Sequence, residues 1–147
     1  MLSFITVPWY AIHFTTRPMI DYSVQVHWVY PYLQMRDTNV FGTLSAIALC
    51  EAGKAKRFVF VSSTSVLDTE HYVRLSDNIL VKGGSGILES DDLQGSRAGL
   101  PTGYGQTKWV CEKLVMEAGA RGLQGAIVRP GYIVGDSKSG GIPTVKK

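Results

Sequence analysis

Tyr104 and Lys108 stand four residues apart in the stretch Pro101-Thr102-Gly103-Tyr104-Gly105-Gln106-Thr107-Lys108, and residues at i and i+4 share one face of a helix. A neighbouring ammonium favours the ionised phenol, so such a tyrosine can exchange a proton with a carbonyl oxygen near neutral pH. That is dehydrogenase chemistry. In a chain with seven tyrosines the spacing alone also fits an exposed helical Tyr and Lys with no shared role, so its meaning depends on what converges with it. The other hydroxyl-rich group is Ser62-Ser63-Thr64-Ser65, which taken alone is an ordinary strand exit satisfied by local hydrogen bonds.

The elements around these residues bring them together. Arg57-Phe58-Val59-Phe60-Val61 is a nearly unbroken apolar run opening into the serines, as expected of a parallel strand covered on both faces. Gly125-Ala126-Ile127-Val128-Arg129 reads as a second such strand, stopped by Pro130-Gly131. Between them a helix is predicted from Gly103 or Tyr104 to Ala120, with Trp109, Leu114, Cys111 and Val115 inward and Gly122 beyond its end. Strand, helical crossover and strand make a βαβ unit, hence an open α/β sheet. Ligands of such sheets sit beyond the carboxyl ends of the strands, where Ser62 to Ser65, Tyr104 and Pro130 to Asp136 share one rim. A further helix is predicted over Met35 to Glu51, with Val40, Leu44, Ile47 and Ala48 on its inner face and Gly53 as its stop. Leu2 to Val7 and Ser23 to Tyr30 read as short strands, with His27 on a polar face rather than acting as a ligand. Asp68 to Gly103 shows no sustained periodicity and reads as a long irregular loop covering a site.

Composition narrows the classes. A chain of 147 residues with 45% hydrophobic content suits one ordinary domain. Fifteen Lys and Arg against twelve Asp and Glu leave +3, scattered apart from Lys54-Ala55-Lys56-Arg57, which is no nucleic-acid footprint. Cys50 and Cys111 fall in predicted helices without C-x-x-C or His spacing, so neither a metal site nor a disulfide framework is expected. No apolar run reaches 18 residues, which excludes a transmembrane helix and a membrane partner of that kind. Met1 to Ile20 is interrupted by Pro8 and lacks a basic leader and a cleavage site, so a cytoplasmic location is expected.

With these residues in place, the chain resembles the extended short-chain dehydrogenase/reductases, and more narrowly the C-terminal thioester reductase domains of fungal L-2-aminoadipate reductases. The resemblance rests on Val26-His27-Trp28-Val29-Tyr30-Pro31-Tyr32, Asn39-Val40-Phe41-Gly42-Thr43, Val61-Ser62-Ser63-Thr64-Ser65, Leu67-Asp68-Thr69-Glu70-His71-Tyr72, Gly99 to Lys108, and Arg129-Pro130-Gly131-Tyr132-Ile133-Val134-Gly135-Asp136, in that order. It implies NADPH-dependent reduction of a phosphopantetheine-carrier-bound 2-aminoadipyl thioester to its aldehyde, a step of lysine biosynthesis. By the same resemblance Tyr104 is the proton donor, and Lys108 holds the nicotinamide ribose and lowers the tyrosine pKa. Ser63, with Thr64 as the alternative, gives the substrate-binding hydroxyl. Asn39 would support the lysine, and Ser62 with Pro130, Gly131 and Tyr132 would border the cofactor.

The departures set further expectations. An enzyme of this kind should begin with a strand, Gly-x-x-Gly-x-x-Gly and a helix that holds the pyrophosphate, and no such stretch precedes Asn39. Residues 1–25 are therefore expected to be an unmatched segment and 26–147 a partial NAD(P)-binding thioester reductase domain. The expected fold is a partial Rossmann-like parallel sheet with flanking helices, lacking the N-terminal dinucleotide-binding βαβ, and the chain alone is expected to be inactive. The alternatives are a non-catalytic remnant that binds a partner through Asp68 to Gly99, and a sugar-nucleotide epimerase or dehydratase sharing Ser63, Tyr104 and Lys108. The segments Val26 to Tyr32 and Leu67 to Tyr72 argue against the last.

Overall fold

Alternating Phe and Val make Phe58-Val59-Phe60-Val61 a strand whose two faces differ only in side-chain size. In the computed structural model, which describes residues 19–21 (backbone only), 25–52, 57–84 and 86–132, this run is the central strand β2 (Phe58–Val61) of a parallel sheet ordered β1-β2-β3. Strand β1 (Met19–Asp21) places Ile20 opposite Val59, and β3 (Gly125–Val128) places Ile127 opposite Phe60. Both predicted strands at the site are present and adjacent. The strand expected at Ser23 to Tyr30 is not: described residues 25–30 are irregular. The His27 ring nitrogen there accepts both the Val29 and Tyr30 amides at 3.2 Å, folding the chain into a turn. The strand expected at Leu2 to Val7 lies outside the described residues.

The helix expected over Met35 to Glu51 begins earlier and changes pitch. Helix α1 (Tyr32–Arg36) runs through a π-helical turn (Asp37–Phe41) into α2 (Gly42–Glu51). A π turn takes one residue more than an α turn, so the inner face shifts. Val40 and Ile47 are buried as expected, but Thr43 and Cys50 take the inner positions expected for Leu44 and Ala48, which are exposed.

Helices α2 and α4 (Gly103–Ala120) cover the Phe58 and Phe60 face, forming a core with Val40, Ile47, Cys111 and Val115. Among the described residues only this face is covered, contrary to the expectation of two. Val59 and Val61 are half-buried, and Ala126 and Val128 of β3 are exposed. The expected loop from Asp68 to Gly103 contains a 12-residue helix, α3 (Glu70–Val81), started by Thr69 with Glu70 in its first turn. Its Tyr72 side chain joins Val66 and Leu93 in a second, smaller cluster.

Candidate active site

Tyr104 is set by its neighbours in the chain. Thr102 caps α4, its hydroxyl accepting the Gly105 amide at 3.0 Å. A Cβ on Gly103 would lie 2.4 Å from the Tyr30 carbonyl oxygen, and one on Gly105 would lie 3.0 Å from that of Ser65. Gly-Tyr-Gly therefore lets the first turn of α4 wedge between the 30–32 backbone and the end of β2, leaving the phenol at the rim with Tyr104 9% exposed.

One turn on, Thr107 donates to the Tyr104 carbonyl at 2.9 Å and accepts Asn39 Nδ2 at 3.0 Å. The Asn39 amide also brackets Gln25, accepting its N–H at 2.7 Å and donating to its carbonyl at 3.2 Å. Asn39 lies in the π turn, and its own carbonyl accepts the Thr43 hydroxyl at 2.8 Å and the Cys111 thiol at 3.3 Å. Its support of Lys108 thus runs through Thr107, the preceding residue.

The structure brings Ser63, Tyr104 and Lys108 together. Ser63 caps the 3-10 turn Thr64–Leu67, accepting the Ser65 amide at 3.2 Å and sharing a 2.6 Å bond with the Ser65 hydroxyl. Its side chain also hydrogen-bonds the Tyr104 phenol, so the two hydroxyls touch rather than framing the expected gap of about 5 to 6 Å. Lys108 is 2% exposed; its ammonium donates to the Val61 carbonyl at 2.5 Å and lies 4.7 Å from the Phe60 ring centre and 5.8 Å from that of Tyr104. Burial raises the Tyr104 pKa, and the Ser63 hydrogen bond works against that rise without cancelling it. The expected lowering by Lys108 is therefore corrected. The ammonium is engaged by a strand carbonyl and desolvation dominates the phenol.

Of the remaining expected residues, Ser62 is 3% exposed and its hydroxyl has no partner among the described residues. The Pro130 carbonyl accepts the Thr64 amide at 3.2 Å, tying the β3 exit to the serine turn. Thr64 itself enters the site through this backbone bond, whereas Tyr104 takes Ser63 as its side-chain partner. Gly131 and Tyr132 continue outward, with Tyr132 84% exposed.

Sequence reading overlooked Glu112 and Arg129. Glu112 is fully buried and accepts Arg129 through three contacts, Nε at 2.9 and 3.0 Å and an η nitrogen at 2.6 Å. Burial opposes the guanidinium charge, but Glu112, with lesser help from Asp91 and Tyr72, raises the Arg129 pKa. The available signal was Glu112 four residues past Lys108, a second charge on the face that also carries Cys111 and Val115.

This geometry has close counterparts. The family model described as Male sterility protein, an NAD-binding family, matches residues 10–146. The chain belongs to that family. Within it, the chain is 60% identical over 130 residues to the L-2-aminoadipate reductase of Schizosaccharomyces pombe, covering 86% of this chain and 9% of that protein. It is 52% identical over 132 residues to the L-2-aminoadipate reductase of Saccharomyces cerevisiae, covering 90% and 10%. Among solved structures, the terminal R domain from the myxalamid PKS-NRPS biosynthetic pathway superposes with a TM-score of 0.68 at 36% identity, over 82% of this chain and 27% of that one. The chain thus spans about a tenth of the length of these curated relatives. Family membership and the R-domain likeness agree with the parallel Rossmann-like sheet and with the resemblance drawn from the sequence.

Proposed function

We propose that this region of the family carries the catalytic rim of a nicotinamide-dependent reductase that converts a carrier-bound 2-aminoadipyl thioester to its aldehyde, with NADPH as reductant. The observation that carries this reading is the Ser63 hydroxyl bonded to the Tyr104 phenol at the carboxyl end of β2, with the Lys108 ammonium fixed beside them by the Val61 carbonyl. The relatives named L-2-aminoadipate reductase and the R domain of a PKS-NRPS pathway support the substrate class. The residues present suit the nicotinamide-ribose half of a dinucleotide: a buried hydroxyl on Ser62 with no partner among the described residues lies next to the site, and Lys108 is immobilised at the strand end. The pyrophosphate half has no such counterpart, since no glycine precedes Gly42.

The bound nicotinamide supplies the hydride. Tyr104 and Ser63 hold the thioester carbonyl oxygen by two hydrogen bonds, and these strengthen as negative charge gathers on it. Tyr104 donates its proton to that oxygen, giving a hemithioacetal; collapse breaks the carbon–sulfur bond and releases aldehyde and carrier thiol. Lys108 positions the ribose, Asn39 holds the Tyr104–Lys108 turn through Thr107, and Pro130, Gly131 and Tyr132 border the nicotinamide. A substrate oxygen that takes both donors replaces the direct Ser63–Tyr104 bond. The phenol therefore begins neutral and acts as an acid, as its raised pKa favours.

The test is Tyr104→Phe in an enzyme of the relatives' full length carrying this region. Aldehyde formation is expected to fall about 10²–10⁴-fold, the usual contribution of a positioned general acid, while NADPH affinity by fluorescence titration stays within about twofold, because the phenol contacts substrate. Retained turnover would assign the proton to another group. The 147-residue chain by itself is expected to bind NADPH weakly and not to turn over. Micromolar affinity would mean that another segment cradles the pyrophosphate, and failure of the full-length enzyme to bind NADPH would favour a non-catalytic partner-binding role for the 68–99 region.

A further inference from the structure

Glu112 and Arg129 meet in the molecule's most deeply buried ion pair among the described residues, with side chains 0% and 17% exposed. Stability does not account for it. Moving two charges out of water costs several kcal/mol per ion, and apolar replacements of buried pairs are often neutral or stabilising. What a bidentate Arg–carboxylate fork does provide is a fixed distance and plane between two backbone segments.

The two segments here are the ones that carry the candidate site. Glu112 lies eight residues after Tyr104 on α4, roughly 12 Å along the helix axis, with Lys108 midway. Arg129 lies in β3 between two carbonyls that both bond to the serine turn: Val128 accepts the Ser62 amide at 2.7 Å and Pro130 accepts the Thr64 amide at 3.2 Å. Ser63 is thus clamped on both sides by the backbone flanking Arg129. The path from Tyr104 down α4 to Glu112, across to Arg129, along the two amide bonds to Ser63 and back to Tyr104 is a closed loop. Each link is a hydrogen bond or a rigid element, and Lys108 to Val61 braces its middle.

We propose that Glu112 and Arg129 are a positioning pair whose fork holds the β3 exit against α4 and thereby sets the contact between the Ser63 and Tyr104 hydroxyls. The pair touches neither substrate nor cofactor. Asp91, which accepts the Tyr72 hydroxyl and the Leu93 amide, and Tyr72 face Arg129 from the loop side, so the 86–99 loop bears on the same guanidinium. The catalytic meaning of the pair rests on the reading under Proposed function; the alignment it maintains does not, and can be read in this chain without turnover.

Tyr104 reports that alignment because two opposing influences act on its phenol: burial raises its pKa and the Ser63 bond lowers it. Slippage of the rim with the core intact removes the lowering influence, so the titration midpoint rises. General loosening of the fold removes burial, so the midpoint falls toward that of a free tyrosine. The experiment is an alkaline NMR titration of the 147-residue chain labelled at tyrosine 13Cζ, with Tyr104 assigned by its loss in Tyr104→Phe, alongside thermal unfolding. Ser63→Ala calibrates the rise. The double variant Glu112→Met/Arg129→Met, which fills the site without charge, is expected to unfold near the parent temperature and to raise the Tyr104 midpoint in the same direction as Ser63→Ala. Arg129→Lys, which keeps the charge and loses the fork, should give a smaller rise and serves in place of the double variant if that one does not fold. An unchanged or lowered Tyr104 midpoint in these variants, or no rise in Ser63→Ala, overturns the proposal.

Discussion

The two apolar clusters of the molecule are held by different kinds of polar contact. The larger, on the Phe58 and Phe60 face, is threaded by buried polar side chains, Asn39, Thr43, Thr107, Lys108 and Glu112, each no more than 2% exposed. Their bonds join distant parts of the chain, Asn39 to Thr107 and Lys108 to Val61 among them. The smaller cluster, Val66, Tyr72 and Leu93, is ringed by side chains that satisfy a nearby loop: Ser96 donates to the Val66 carbonyl, Asp91 accepts the Leu93 amide, and the Trp109 indole donates to the Leu93 carbonyl at 2.8 Å. One set of polar groups aligns secondary elements, whereas the other organises a loop. The candidate site grows out of the first, since only there do polar bonds fix the angle between a helix and two strand ends.

The contrast can be broken in three places. Phe60→Ala should cost about 3–5 kcal/mol in urea unfolding, whereas Val66→Ala should cost about 2 kcal/mol; equal losses would mean that the clusters form one cooperative core. Tyr72→Phe comes next. Burial, then the hydrogen bond and charge of Asp91, push the Tyr72 pKa far above its ordinary value. A raised folded pKa gives stability that is complete below the unfolded value of about 10 and is lost as pH rises beyond it. The variant should lose about 1–2 kcal/mol at neutral pH and show a shallower alkaline fall, with the part due to Tyr104 remaining; an identical alkaline slope would place the phenol outside the cluster. The smallest effect belongs to the surface pair of Arg74 and Glu70 on α3, both side chains about three-quarters exposed. Glu70→Gln should change stability by no more than about 0.5 kcal/mol, and a larger loss would show that α3 leans on its surface charges.

What sequence made readable follows from the same division. Strands β2 and β3 announced themselves as apolar runs with sharp ends at Ser62 and Pro130, and α4 by its Thr102 cap and the Gly122 beyond it. The meeting of Ser63, Tyr104 and Lys108 followed from topology alone. Helix α3 was hidden because Ser76, Asp77 and Asn78 compete for backbone bonds and Val73, Ile79 and Val81 are β-branched, all weak helix formers; tertiary packing of Tyr72 overrides them. The exchange of Leu44 and Ala48 for Thr43 and Cys50 was hidden because a uniform 3.6-residue period cannot register a π turn. The direction of the Tyr104 pKa was misjudged for another reason: sequence shows that a lysine lies one turn away but not which carbonyl it has already engaged.

That π turn makes the chain unequally tolerant of changes in length. It holds one residue beyond regular α-helical winding at Asp37–Phe41, and a deletion there would restore the ordinary ladder while rotating everything after it by about 100°. Ile47 and Cys50 would swing off the sheet, and Asn39 would lose the exposed carbonyl that now accepts Thr43 and Cys111. A deletion at the 82–84 end of α3, by contrast, would be absorbed by exposed backbone. Length variation in natural or engineered versions of this domain should accordingly gather around the loop side and be purged from the few residues around Asn39.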